Sequence, residues 1–163
     1  MLKKYLFAFY LIILFSNSAQ AAGTDDSSSS KVKSDYDKAV TLIKQAKKYE
    51  KKGKTEKANK RYEKAQKLLI TSNNKKPLQA DTLNYLGFTT RKLGDYENGE
   101  KYYLLGLEID PNHKGINEYL GELYVVTNRI NLAKERLNVL ENCNCEEYGE
   151  LKEIIDGTKT SKY

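Results

Sequence analysis

Residues 83–111 read LNYLGFTTRKLGDYENGEKYYLLGLEIDP. Apolar and aromatic residues recur here at helical spacing on either side of Leu93-Gly94-Asp95. Gly at such a break is what a left-handed helix C-terminus requires, and Asp95 is placed to cap the next helix through its carboxylate. The segment therefore reads as a helix, a tight turn and a second helix. Gly87 and Gly99 lie inside the two helices, where a glycine costs about 1 kcal/mol relative to alanine. Their presence implies that the helices cross too closely for a larger side chain, with Gly87 facing Gly99 and Gly106 across the turn.

Working outward, the same pattern recurs. Ala46, Gly87 and Gly121 are separated by 41 and 34 residues, and so are Ala58, Gly99 and Ala133, and Tyr62, Tyr103 and Leu137. A 34-residue period with one seven-residue insertion accounts for all three series. The insertion falls in Thr71–Ala80 (TSNNKKPLQA), which reads as a longer loop between units. The outer turns are Lys52-Gly53-Lys54 and Thr127-Asn128-Arg129. In Glu146–Gly157 the residues Tyr148, Leu151, Ile154 and Ile155 share one helical face, as a capping helix would.

These residues resemble the tetratricopeptide repeat family, whose pattern is W-x2-L-G-x2-Y followed by A-x3-F-x2-A-x4-P. The middle unit supplies Leu83, Leu86, Gly87 and Thr90, then Gly99, Tyr103, Gly106 and Pro111. The outer units depart from the pattern at Gln45, Leu140 and Cys145, as terminal repeats commonly do. The resemblance implies an all-α fold: a short α-solenoid of about three helix-turn-helix repeats plus a C-terminal capping helix. It also implies a concave groove built from the first helix of each unit. Lys47, Asn84, Phe88, Arg91, Glu118 and Glu122 fall on that stripe. Phe88 beside Arg91 suits an extended peptide, one by stacking and the other by a charged hydrogen bond. Packing of Phe88 against neighbouring helices is the competing reading.

The amino terminus has a different character. Lys3 and Lys4 precede an eleven-residue apolar run, Tyr5–Phe15, followed by Ala19-Gln20-Ala21. This is the order of a secretory signal peptide, with cleavage expected after Ala21. The run is shorter than the roughly 20 residues that span a bilayer. The expected organisation is a leader at 1–21, a disordered linker at 22–34, a helical repeat domain at 35–157 and a loose tail at 158–163. The chain is expected to be exported, in the periplasm of a bacterial envelope or secreted, and to be membrane-anchored only if the leader stays uncleaved.

Composition narrows the chemistry. The 163 residues contain 28 Lys+Arg against 22 Asp+Glu, a formal charge of +6, with 39% apolar residues, enough for a core. Residues 31–69 hold fourteen basic and five acidic residues. That face is either a solvated helix pair or a dock for an anionic surface. A single His excludes the common zinc hydrolases, and His113 has no positioned partner for acid–base work. No Gly-rich phosphate loop is present, and no aromatic platform for nucleic acid accompanies the lysines. No cofactor is expected. Two thiols without a histidine make a poor metal site. Export favours an intrachain Cys143–Cys145 disulfide, and the resemblance to small exported bacterial members of the family points the same way. The leading expectation is a non-catalytic module that binds a protein or peptide. The alternative is a thiol–disulfide exchange protein using Cys143 and Cys145.

Overall fold

The computed structural model describes residues 33–161. The expected leader and the linker up to residue 32 lie outside the described residues. Three helical hairpins are formed by α1 (Asp35–Glu50) with α2 (Thr55–Lys75), α3 (Ala80–Lys92) with α4 (Tyr96–Ile109), and α5 (Lys114–Val126) with α6 (Ile130–Leu140). The last helix, α7 (Glu146–Ile155), packs on α5 and α6. No strand occurs among the described residues. The fold is a short all-α solenoid with a capping helix, as the repeat predicts.

The turns explain the hairpins. Gly53, Gly94 and Asn128 sit at φ values of 66°, 94° and 59°. This left-handed region closes a helix and redirects the chain, and only Gly or Asn adopts it readily. Asp95 then accepts from the Asn98 N–H at 3.1 Å and caps α4. Ser34 and Asp37 form a reciprocal capping box at the start of α1, so the predicted linker ends inside the fold.

Small residues set the crossings. Ala46 and Ala58 are fully buried in the first hairpin, and Gly87 and Gly99 are buried in the second. A Cβ on Gly99 would lie 3.2 Å from the Gly87 carbonyl oxygen, so those two positions do face each other. The sequence scheme also set Gly106 against Gly87, and there the structure differs. Gly106 lies against Ile116 and Leu83, whereas Gly87 is crowded by the Tyr103 ring, 2.5 Å from where its Cβ would stand. Gly121 is occupied from the other side, by Leu151 of the capping helix.

Two further expectations need correction. Residues 71–75 are the last residues of α2 and not a loop. Nothing in Ser72-Asn73-Asn74 breaks a helix, and the stop is set by Pro77, which forces Lys76 out of the helical region (φ −142°, ψ 86°). The lengthened end is used, since Lys75 Nζ reaches Asp35 Oδ2 at 2.6 Å. At the other terminus, Thr158 and Lys159 are not loose. Both backbone N–H groups donate to the Glu153 carbonyl, and Lys159 pairs with Glu150.

Candidate functional site

The first helices of the three hairpins and the capping helix line one concave groove of about 790 Å³. Its floor is aromatic. Phe88 on α3 and Tyr119 on α5 have ring centroids 5.0 Å apart, and Tyr62 on α2 meets the far side of Phe88 at 5.7 Å. Lys47 on α1 lies over both rings, with Nζ 4.6 Å from the Phe88 centroid and 5.2 Å from that of Tyr119. Its ammonium donates to the Tyr119 hydroxyl at 3.0 Å. A lysine over two aromatic faces gains a cation–π attraction while its stem covers apolar surface.

Lys47, Phe88, Glu118 and Glu122, all read from the stripe, border this groove. Phe88 does so as a floor, with only 4% of its surface exposed. Arg91 requires a correction. The stripe presents it as a handle for a ligand carboxylate, yet its side chain has no exposed surface. The guanidinium points inward, donating to Glu122 Oε2 at 3.0 Å and to the Tyr119 carbonyl at 2.7 Å. Asn84 borders the adjoining stretch of the concavity, which it shares with Asp81, Tyr85, Glu118, Tyr119 and Glu147. Only 6% of its surface is exposed, and its Oδ1 has no hydrogen-bond partner.

The carboxylates crowd one wall. Glu118 and Glu122 are one turn apart on α5, and Glu147 and Glu150 face them from α7. Burial pushes the Glu118 carboxyl up to about 8, helped by the charges of Glu122, Glu147 and Glu150 and opposed by Lys47. Glu118 is therefore protonated at neutral pH. Burial likewise holds the Tyr119 hydroxyl protonated, with Glu118 and Glu122 adding to the effect.

The stripe missed Tyr119, Lys92, Glu147 and Lys159, all of which border the groove. Tyr119 is one residue from Glu118, outside the i, i+4 series, and only its long ring brings it to the floor. Lys92 sits at the end of α3 and is held by Glu50 at 2.5 Å. Glu147 and Lys159 depend on how α7 docks, which no repeat pattern encodes.

His113 does have positioned partners, contrary to the sequence reading, and they give it a local task. It caps α5, its Nδ1 accepting from the Ile116 N–H at 3.1 Å, which leaves Nε2 to donate to Asp81 Oδ1 at 3.1 Å. Cys143 and Cys145 have Cα atoms 5.2 Å apart, within the span a disulfide bridges, with Asn144 between them at φ 50°. Among the described residues no group of His, Cys, Asp and Glu is arranged to hold a metal ion, and no helix is long and apolar enough to cross a membrane.

Residues 80–113 match the sequence model of the tetratricopeptide repeat family. The match covers α3, α4 and the turn into α5. This is the unit that reads best as a tetratricopeptide repeat, and the hairpins on either side repeat its geometry. Among solved structures the chain is similar to one described as the first TPR of Spaghetti (RPAP3) bound to an HSP90 peptide, SRMEEVD. The identity is 21%, over 78% of this chain and 98% of that one, with a TM-score of 0.47. No curated protein matches the chain.

Proposed function

We propose that this chain is a non-catalytic interaction module, exported from the cytoplasm, that holds an extended peptide or a segment of a partner protein in its concave groove. The observation that carries the reading is the continuous groove across α1, α3, α5 and α7, with the Phe88–Tyr119 floor beneath Lys47. An apolar floor offers area to a peptide side chain, and polar walls fix its orientation and register. Several first helices contribute to one surface, which is how stacked repeats generate binding faces. The charged, apolar and small-residue order of residues 1–21 supports export.

Randomised short peptides displayed on phage and panned against the chain test the groove. Enriched peptides should compete with one another and bind at least tenfold more weakly to a folded Tyr119→Ala variant, a change of about 1.4 kcal/mol. Failure to enrich any peptide, or binding indifferent to Tyr119→Ala, would overturn the reading. Export is tested separately by N-terminal sequencing of the mature product, which should begin at Ala22.

A further inference from the structure

We infer that the concave groove selects a peptide segment bearing a lysine or arginine side chain, seated against the carboxyl groups of Glu118 and Glu147. The inference rests on the peptide-groove reading and names what that groove prefers.

The first argument is the pair of carboxyl groups that have no cation beside them in the groove. Lys92 is held by Glu50, Lys159 by Glu150, and Glu122 by Arg91. Lys47 is engaged with the Tyr119 hydroxyl and the two rings. Among the described residues no lysine, arginine or histidine lies within ion-pair distance of Glu118 or Glu147, although both border the groove and its adjoining stretch. Lys51 also borders the groove, from the exposed end of α1, and Lys114 borders the adjoining stretch from the exposed start of α5.

The second argument is independent of charge. Asn84 is buried in the adjoining stretch with an acceptor oxygen that nothing satisfies. A buried acceptor left unpaired gives up the hydrogen bonds it made to water in the unfolded chain and gains none in return. Asp81, which accepts from His113 Nε2 at 3.1 Å through one oxygen, adds a further carboxylate along the same stretch. Glu147 and Asp81 are acceptors, and Glu118 becomes one when it ionises, so the complementary ligand brings donors. Ammonium and guanidinium groups are donors only, with three and five N–H respectively. An acidic segment would meet like charge, a repulsive device that separates partners.

The ligand charge also couples to a proton. The groups facing Glu118 are Lys47 from α1, Glu122 on its own helix, and Glu147 and Glu150 from α7. A cation entering this cluster favours the ionised form of Glu118, so binding releases a proton and strengthens as pH rises.

The test uses the full chain and the phage-displayed random peptides. Enriched sequences should share a lysine or arginine at one aligned position. A synthetic copy of the best peptide should lose at least tenfold in affinity when that residue is replaced by norleucine. Glu118→Gln with Glu147→Gln should weaken it comparably while the protein stays helical and melts cooperatively. Affinity should rise between about pH 6 and about pH 9 for the parent chain and stay flat for Glu118→Gln. Enrichment of neutral or acidic peptides, or affinity unchanged by the Gln variants, overturns this inference and leaves the peptide groove standing. No enrichment at all overturns both.

Discussion

The guanidinium of Arg91 donates to the Glu122 carboxylate at 3.0 Å, joining the second repeat to the third beneath the floor of the groove. Its central carbon is 5.1 Å from the Tyr119 ring centroid, 5.5 Å from that of Phe88 and 5.8 Å from that of Tyr103. The cation is enclosed by three aromatic side chains and one carboxylate. Burying both charges offsets most of what their attraction contributes, so the pair does more to fix how the units register than to raise stability.

Removing one partner is a different matter, because it strands the other. Arg91→Ala is expected to cost about 3–5 kcal/mol in denaturant unfolding. Arg91→Met together with Glu122→Leu should cost much less, since no charge is left unpaired. If Arg91→Ala unfolds at the parental denaturant midpoint, the guanidinium is not enclosed as described.

Phe88→Ala follows the same logic for an apolar group. The ring is 4% exposed and meets Tyr62, Tyr119 and the Lys47 ammonium. Its truncation should cost about 3–5 kcal/mol, as for other buried phenylalanines. A variant that keeps its melting temperature yet loses peptide binding would make Phe88 a surface contact.

Two glycines in helices offer a matched comparison. A Cβ on Gly87 would stand 2.5 Å from the Tyr103 ring, while a Cβ on Gly149 of α7 would meet nothing within 4 Å. Gly149→Ala should stabilise the chain by about 0.5–1 kcal/mol through helix propensity alone. Gly87→Ala gains the same propensity, yet overpacking costs of about 1–3 kcal/mol should make it destabilising. Tyr103→Leu in the Gly87→Ala background should recover part of the loss. Thermal melts of the three variants decide the point, and a Gly87→Ala chain as stable as Gly149→Ala would contradict the tight crossing.

What the sequence makes legible follows from what local chemistry controls. Gly53, Gly94 and Asn128 announce the turns because few residues tolerate positive φ. Ala46, Gly87 and Ala58 announce the crossings because bulk is forbidden there. The inward turn of Arg91 could not be read the same way. Its partner Glu122 lies 31 residues on, and the pairing depends on how one hairpin stacks on the next. Glu118 and Phe88 are assigned to the groove by helical spacing, whereas Glu147 enters only through the docking of α7. The helical character of residues 71–75 was hidden by their turn-forming composition, which tertiary contacts such as Lys75 with Asp35 override.

The cysteine pair bears on the alternative of thiol–disulfide exchange. With two residues of separation the closed loop is very short. Its effect on the unfolded chain falls below the roughly 3 kcal/mol of a 15-residue loop. Leu151 and Ile154 are buried and hold α7 regardless. Cys143→Ser with Cys145→Ser should therefore lower the melting temperature only slightly and leave peptide binding intact. Thiol titration without reductant should find no free thiol in the purified protein. Rapid, reversible reduction by small dithiols coupled to oxidation of a test substrate would favour exchange chemistry instead.

Glu118 supplies a pH dependence whose sign can be worked through. Its carboxyl is raised from an ordinary value of 4.5 to about 8 by burial and by the neighbouring carboxylates. Between those values the folded chain holds a proton that the unfolded chain has released. Raising the pH therefore favours unfolding. The contribution of Glu118 to stability is complete below about pH 4.5 and is lost progressively as pH climbs to about 8. Glu118→Gln removes this titration while keeping the shape and hydrogen-bonding capacity of a neutral carboxyl. Denaturant unfolding of the parent should show stability declining from about pH 5 to about pH 8.5, with a flatter profile for the variant and a higher variant midpoint at the alkaline end. Parallel profiles for the two proteins would mean that the Glu118 carboxyl is not held protonated in the groove wall.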